Sequence, residues 1–186
     1  SVVFLHGLMG DWRTTWISKQ GWFWPEELAK DIDGLAVYSL AYEASVSGWF
    51  GTAMPITDRA TNALTHLVAE RFGGRPIVFI GHSLGGLVIK QMLRHADGLG
   101  NPAWPPILGQ VKRVVFLATP HTGSNLATYV ERLSIIFDAT PVMKDLSRNE
   151  AGLRELNLWY RNNAGRLGIE TDVFTETEPV GRIGVV

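Results

Sequence analysis

The chain has 186 residues, 46% of them hydrophobic, with 17 Lys and Arg against 18 Asp and Glu and no cysteine. That is one domain's worth of chain with enough apolar surface for a core, and near-neutral charge without a basic cluster excludes a nucleic-acid footprint. The lack of cysteine removes disulfides, thiol catalysis and Cys-ligated zinc, and no apolar run approaches the length of a transmembrane span.

Val2-Val3-Phe4-Leu5 reads as a buried strand running into His6-Gly7-Leu8-Met9-Gly10. A His-Gly-x turn directly after a strand is one half of an acyl-transfer site. The glycine lets the backbone come close to a nucleophile, and the N–H of Leu8 can stabilise an oxyanion. His6 is read as a structural histidine tying down the loop, in preference to a reacting one. Asp11 to Trp24 holds four of the seven tryptophans, Trp12, Trp16, Trp22 and Trp24. They either pack a long loop onto the body or line the entrance to an apolar substrate site.

Pro25-Glu26-Glu27-Leu28-Ala29-Lys30 has the proline and early acids of a helix start. Leu35 to Leu40 gives the next strand, and Tyr42 to Ser47 a loop. Ile56 to Phe72 is a strong amphipathic helix with Ile56, Ala60, Ala63, Leu64, Leu67 and Val68 on one face, ended by Gly73-Gly74.

The organising stretch follows. Ile77 to Ile80 is a short, wholly apolar run suited to a central strand, and Leu84 to Leu93 carries apolar residues at helical spacing. Between them, Gly81-His82-Ser83-Leu84-Gly85 has the small-x-Ser-x-small pattern of a nucleophile elbow. A turn that sharp brings the residues flanking the serine together, so side chains at Gly81 and Gly85 would clash. Ser83 stands at the apex, and the Leu84 N–H, at the positive end of the following helix, is placed to meet a developing oxyanion together with that of Leu8.

Asp97 to Pro106, rich in Gly and Pro, reads as loop. Val111 to Ala118 is a strand that ends in Thr119-Pro120-His121-Thr122-Gly123-Ser124. His121 is expected to contact substrate or, more in keeping with its position, to support the site through a hydrogen bond. Two helical patterns follow, Leu126 to Phe137 and Glu150 to Leu167. The first suits either a cap over the site or a helix covering the sheet. Thr171 to Thr175 is a strand leading to Glu176-Thr177-Glu178-Pro179. Strands alternating with helices imply an α/β fold, a mostly parallel sheet with helices on both faces. The chain starts in one apolar strand and stops in another, Ile183-Gly184-Val185-Val186. The expectation is therefore a single domain over 1–186 that is truncated at both ends, a fragment of a longer chain.

His6-Gly7-Leu8, Gly81-His82-Ser83-Leu84-Gly85-Gly86 and Ala118-Thr119-Pro120-His121-Thr122-Gly123-Ser124 together resemble the α/β-hydrolase superfamily. Within it the chain is similar to the lipase-like serine esterases that include the GPI inositol-deacylases and the serine-active-site-containing proteins. Phe23-Trp24-Pro25-Glu26-Glu27-Leu28, Tyr38-Ser39-Leu40-Ala41-Tyr42-Glu43 and Phe174-Thr175-Glu176-Thr177 agree with that resemblance. It implies hydrolysis of small-molecule or lipid esters by a Ser–acid–His triad without cofactor or metal, and it is compatible with contact at a membrane surface and with fused domains outside this chain. By position after a strand, Glu176 is the candidate acid; Glu178 beside Pro179 is a poorer one, and an acid beyond residue 186 is an alternative. None of His6, His66, His82, His95 and His121 follows the last strand, so the base is expected past Val186. Without it, only the residual rate from oxyanion hole and binding remains, about 10³–10⁴-fold over water. The rival reading is a non-catalytic hydrolase-like module that recognises an acyl ligand or a partner.

Overall fold

The computed structural model describes residues 1–8, 10–42, 55–121 and 150–175. Among these residues five strands form one parallel sheet: β1 (Val2–Leu5), β2 (Val37–Leu40), β3 (Ile77–His82), β4 (Val111–Leu117) and β5 (Glu170–Phe174), in the spatial order β2-β1-β3-β4-β5. Between them run α1 (Trp24–Asp31), α2 (Ile56–Ala69), α3 (Leu84–Gly98), α4 (Pro105–Gln110) and α5 (Glu150–Asn163). The expected doubly covered parallel sheet is present.

Strand alternation divides the core in two. Val3 and Leu5 of β1, Phe79 of β3 and Val114 and Phe116 of β4 face α2, α3 and α5. Val2 and Phe4 face the other way, against Trp16, Ile80, Phe23 and Leu28. Both faces of β1 are closed, which is why its four residues are all apolar and all buried. Helix α3 sits deepest, with twelve buried residues from Leu84 to Ala96, and packs on both α2 and α5.

The order of strands decides where a site can form. From β1 the chain moves to β2 on one side and to β3, β4 and β5 on the other. The connections therefore diverge between β1 and β3, leaving a crevice outside the carboxyl ends of those two strands. Leu5 pairs with Gly81 there. The two loops that leave this point are His6-Gly7-Leu8 and the turn at Ser83.

Three boundaries differ from expectation. Asp97 and Gly98 belong to the last turn of α3, and Pro105 opens α4, so the connection read as loop over 97–106 shrinks at both ends. Ala96 and Trp104 are buried and keep both ends on the core, and proline fits the first turn of a helix because its missing N–H has no partner to lose there. Helix α2 stops before Gly73-Gly74, because Arg71 turns left-handed (φ 58°). Its N–H and that of Phe72 return to the carbonyls of Val68 and Leu67, each at 2.9 Å, in place of the helix ladder. Strand β2 begins two residues late, at Val37. The helix expected over 126–137, the strand at 183–186 and most of the loop over 42–47 lie outside the described residues.

Candidate active site

Ser83 occupies a backbone conformation that side-chain-bearing residues rarely adopt, φ 56° and ψ −120°. Strain of that kind costs about 1–3 kcal/mol and persists only where the surroundings impose it. Here they do. The Ser83 N–H donates to Leu117 O (2.8 Å), the Gly86 N–H returns to Ser83 O (3.1 Å), and Thr119 Oγ1 donates to Gly81 O (3.4 Å). The elbow is therefore held from β4 as well as by its own helix.

The glycines show what the turn requires. A Cβ on Gly81 would lie 2.8 Å from the backbone N and Cα of Gly86 and 2.6 Å from Ile89 Cδ1. One on Gly85 would run into the carbonyls of Leu5 and His6. Gly81 thus lets the strand fold back on the helix, whereas Gly85 lets the helix start against the end of β1.

Gly7 brings the second loop onto the serine. A Cβ there would lie 2.9 Å from Ser83 Cβ and 3.0 Å from both Ser83 Oγ and His82 Nδ1. The Gly10 N–H donates to Gly7 O (3.2 Å), closing a turn around Leu8. Leu84 is the first residue of α3, so its N–H has no helical partner. The loop bearing the Leu8 N–H and the helix start bearing the Leu84 N–H thus converge on Ser83. Replacing Gly7 by Ala is expected to displace the Ser83 hydroxyl and lower its reaction rate with a fluorophosphonate about 100-fold, with a stability loss of about 1 kcal/mol from overpacking; stopped-time labelling of the folded protein beside a denaturation curve checks both.

His6 is almost wholly buried, and Nδ1 lies 3.0 Å from Gly7 O. A carbonyl can only accept, so Nδ1 carries the hydrogen. The ring stacks on Tyr42 (4.3 Å between centroids, 18°), whose hydroxyl donates to His6 O. Desolvation lowers the His6 pKa below its ordinary value. These contacts tie His6 to its own loop. The His82 ring lies edge-on to Trp16 at 6.3 Å.

Of the tryptophans, Trp16 is buried and both Trp16 and Trp24 pack edge-on against Phe4 at 4.9 and 5.0 Å. Trp12 (43% exposed), Trp22 (68%) and Trp24 (41%) all keep much of their surface in solvent, so packing and surface display divide one segment. The acids Glu176 and Glu178 lie outside the described residues, as do Thr122, Gly123 and Ser124. Among the described residues no cluster of His, Asp and Glu could hold a metal, and no helix is long and apolar enough to cross a membrane.

Sequence reasoning passed over Lys90. It is 1% exposed, and its Nζ lies 2.9 Å from His121 Nδ1 and 2.6 Å from Asn157 Oδ1. The Phe116 and Tyr160 rings face it at 4.8 and 5.5 Å. The signal was available: Leu87 and Leu93 flank Lys90 at helical spacing, which places it on the buried stripe of α3. His121, burdened by desolvation and by the Lys90 charge, falls to about 4 and is neutral at physiological pH.

Comparison with known proteins supplies the family. The description "Alpha/beta hydrolase family" matches residues 2–179. Protein SERAC1 of Bos taurus and Protein SERAC1 of Homo sapiens are each 30% identical over 199 residues, covering 96% of this chain and 30% of the relative. This chain therefore spans less than a third of the curated relatives it matches. Phospholipase PlaB from Legionella pneumophila shares the fold, with a TM-score of 0.61 at 20% identity over 95% of this chain and 39% of that one. A five-stranded parallel sheet with a strained serine at its switch point and a family match over nearly its whole length make this chain a member of the alpha/beta hydrolase family.

Proposed function

We propose that residues 1–186 form the hydrolase core of a longer serine carboxylester hydrolase. The observation that carries this reading is the strained Ser83 at the crevice, with Gly7 pressed against it. Ser83 Oγ attacks the ester carbonyl as a base takes its proton. The N–H groups of Leu8 and Leu84 bind the oxyanion, the alcohol leaves protonated, and water hydrolyses the acyl-serine. Glu176 orients the base, a histidine supplied by chain outside these residues. His6 and His121 are already engaged by Gly7 O and Lys90, which supports a base from elsewhere. A fluorophosphonate probe applied to the full-length protein, followed by peptide mapping, tests the assignment: adduct on the Ser83 peptide supports it, and a folded protein that takes up no probe favours a non-catalytic binding module.

The substrate we propose is a lipid ester, of the kind handled by lipase-like serine esterases such as the GPI inositol-deacylases. The fold shared with a phospholipase and the surface tryptophans of the segment between β1 and α1 support it. Trp12 and Trp22 are exposed, the Arg13 guanidinium lies over the Trp12 (5.9 Å) and Phe23 (5.4 Å) rings, and indole with a basic neighbour suits the boundary between headgroups and acyl chains. Trp22→Ala is expected to weaken binding to phosphatidylcholine vesicles by at least about threefold while leaving turnover of a soluble p-nitrophenyl ester unchanged. Co-sedimentation and a colorimetric assay separate the two.

A further inference from the structure

A lysine inside a core is an expensive choice. Burial pushes Lys90 down to about 7, and no carboxylate pairs with it among the described residues. An apolar side chain of similar length would fill the space without that penalty. What surrounds the amine is a set of acceptors: a ring nitrogen, an amide oxygen and two aromatic faces, supplied by three different parts of the chain. His121 follows β4, Asn157 and Tyr160 lie on α5, Phe116 lies within β4, and Lys90 itself projects from the helix that begins beside Ser83.

We infer that Lys90 is a positioning residue for the proposed acyl-transfer site: its amine holds His121 in the tautomer with hydrogen on Nε2, and ties the loop after β4 to the nucleophile helix. Below its value of about 7 Lys90 is an ammonium and has only hydrogens to offer. One N–H goes to Asn157 Oδ1 and another to the His121 ring, with the Phe116 and Tyr160 faces meeting the charge, so Nδ1 must accept. The hydrogen then resides on Nε2, a buried atom with no partner among the described residues. His121 thereby becomes a fixed donor at the carboxyl end of β4. That end also meets the elbow through Leu117 O and Thr119, so a shift of the loop is felt at Ser83. A second consequence concerns the base. A ring held with Nδ1 occupied by an amine and Nε2 protonated cannot take the proton of Ser83, so His121 supports the site and does not act as its base.

The functional half of this inference rests on the acyl-transfer reading; the tautomer does not. The test begins with wild-type full-length protein carrying ¹⁵N-histidine, with the His121 signal identified by its loss in His121→Gln. Two-bond ¹⁵N–¹H correlations at about pH 5.5, below the Lys90 value and above that of His121, should show the neutral Nε2–H form alone. An Nδ1–H form, or an imidazolium, overturns the inference without any variant having to fold. In Lys90→Met the expected results are a mixture of tautomers and a fluorophosphonate rate constant lower by about tenfold to 100-fold at unchanged probe affinity, measured on the folded fraction. A Lys90→Met protein that keeps the pure Nε2–H form, or reacts at the wild-type rate, overturns the positioning role. If wild-type protein shows the Nε2–H form but no adduct forms at Ser83, the tautomer assignment stands and the acyl-transfer reading fails, taking the positioning role with it.

Discussion

Ser83→Ala in the full-length protein is expected to abolish fluorophosphonate labelling and to lower ester hydrolysis by about 10⁴-fold or more, with circular dichroism and the urea midpoint close to wild type. The size follows from the proposed chemistry. Without the hydroxyl no acyl-enzyme can form, and what remains is the smaller contribution of the two backbone N–H groups and of substrate binding. The fold should survive because the turn is held by main-chain bonds, from the Ser83 N–H to Leu117 O and from the Gly86 N–H to Ser83 O, which alanine retains. Alanine also has to accept φ 56°, as Ala118 does at φ 50° elsewhere in the chain. Retained hydrolysis in a Ser83→Ala protein of wild-type stability would remove Ser83 from the mechanism.

Gly85→Ala should be the most damaging single methyl group in the sheet region. Alanine is the better helix former by about 1 kcal/mol, so propensity alone predicts a gain. The added Cβ, however, meets the carbonyls of Leu5 and His6. These are backbone atoms of the central strand and the oxyanion loop, and neither can swing aside as a side chain would. Overpacking of this kind costs about 3 kcal/mol, so the net effect is destabilising by about 2 kcal/mol, together with loss of labelling as the helix start moves off β1. Gly98→Ala on the same helix is the control. Nothing lies within 4 Å of its added methyl, and the chain there is exposed. It should be stabilising by about 0.5 kcal/mol. Urea midpoints of the two variants moving in opposite directions would show that contact with β1, and not helix propensity, governs Gly85; a neutral Gly85→Ala would refute the close approach.

Much of this was legible from residue order. The strands at Val2–Leu5 and Ile77–His82 announce themselves because strands buried on both faces must be apolar throughout, and amphipathic α2 because one face of it meets solvent. The elbow was legible because glycine is needed at fixed offsets from the serine, a local requirement that sequence spacing can express. The role of Gly85 was only half legible. Its spacing suggested relief of crowding within the turn, whereas the atoms it avoids belong to β1, some eighty residues away. The burial of Lys90 was readable from its helical spacing, but its partners were not: His121 and Asn157 are 31 and 67 positions distant, and nothing in the local pattern names them.

The sequence by itself determined the elements, the parallel α/β class and the residue types a serine acyl transfer needs, since each of these depends on contacts within a few residues or on a simple apolar period. Only the tertiary structure decided that the chain diverges between β1 and β3, that Gly7 is thereby carried against Ser83, and that a buried lysine grips the loop after β4. Those facts depend on which strands lie side by side, and strand neighbours are chosen by packing across the whole sheet, a long-range energy that short stretches of sequence do not encode.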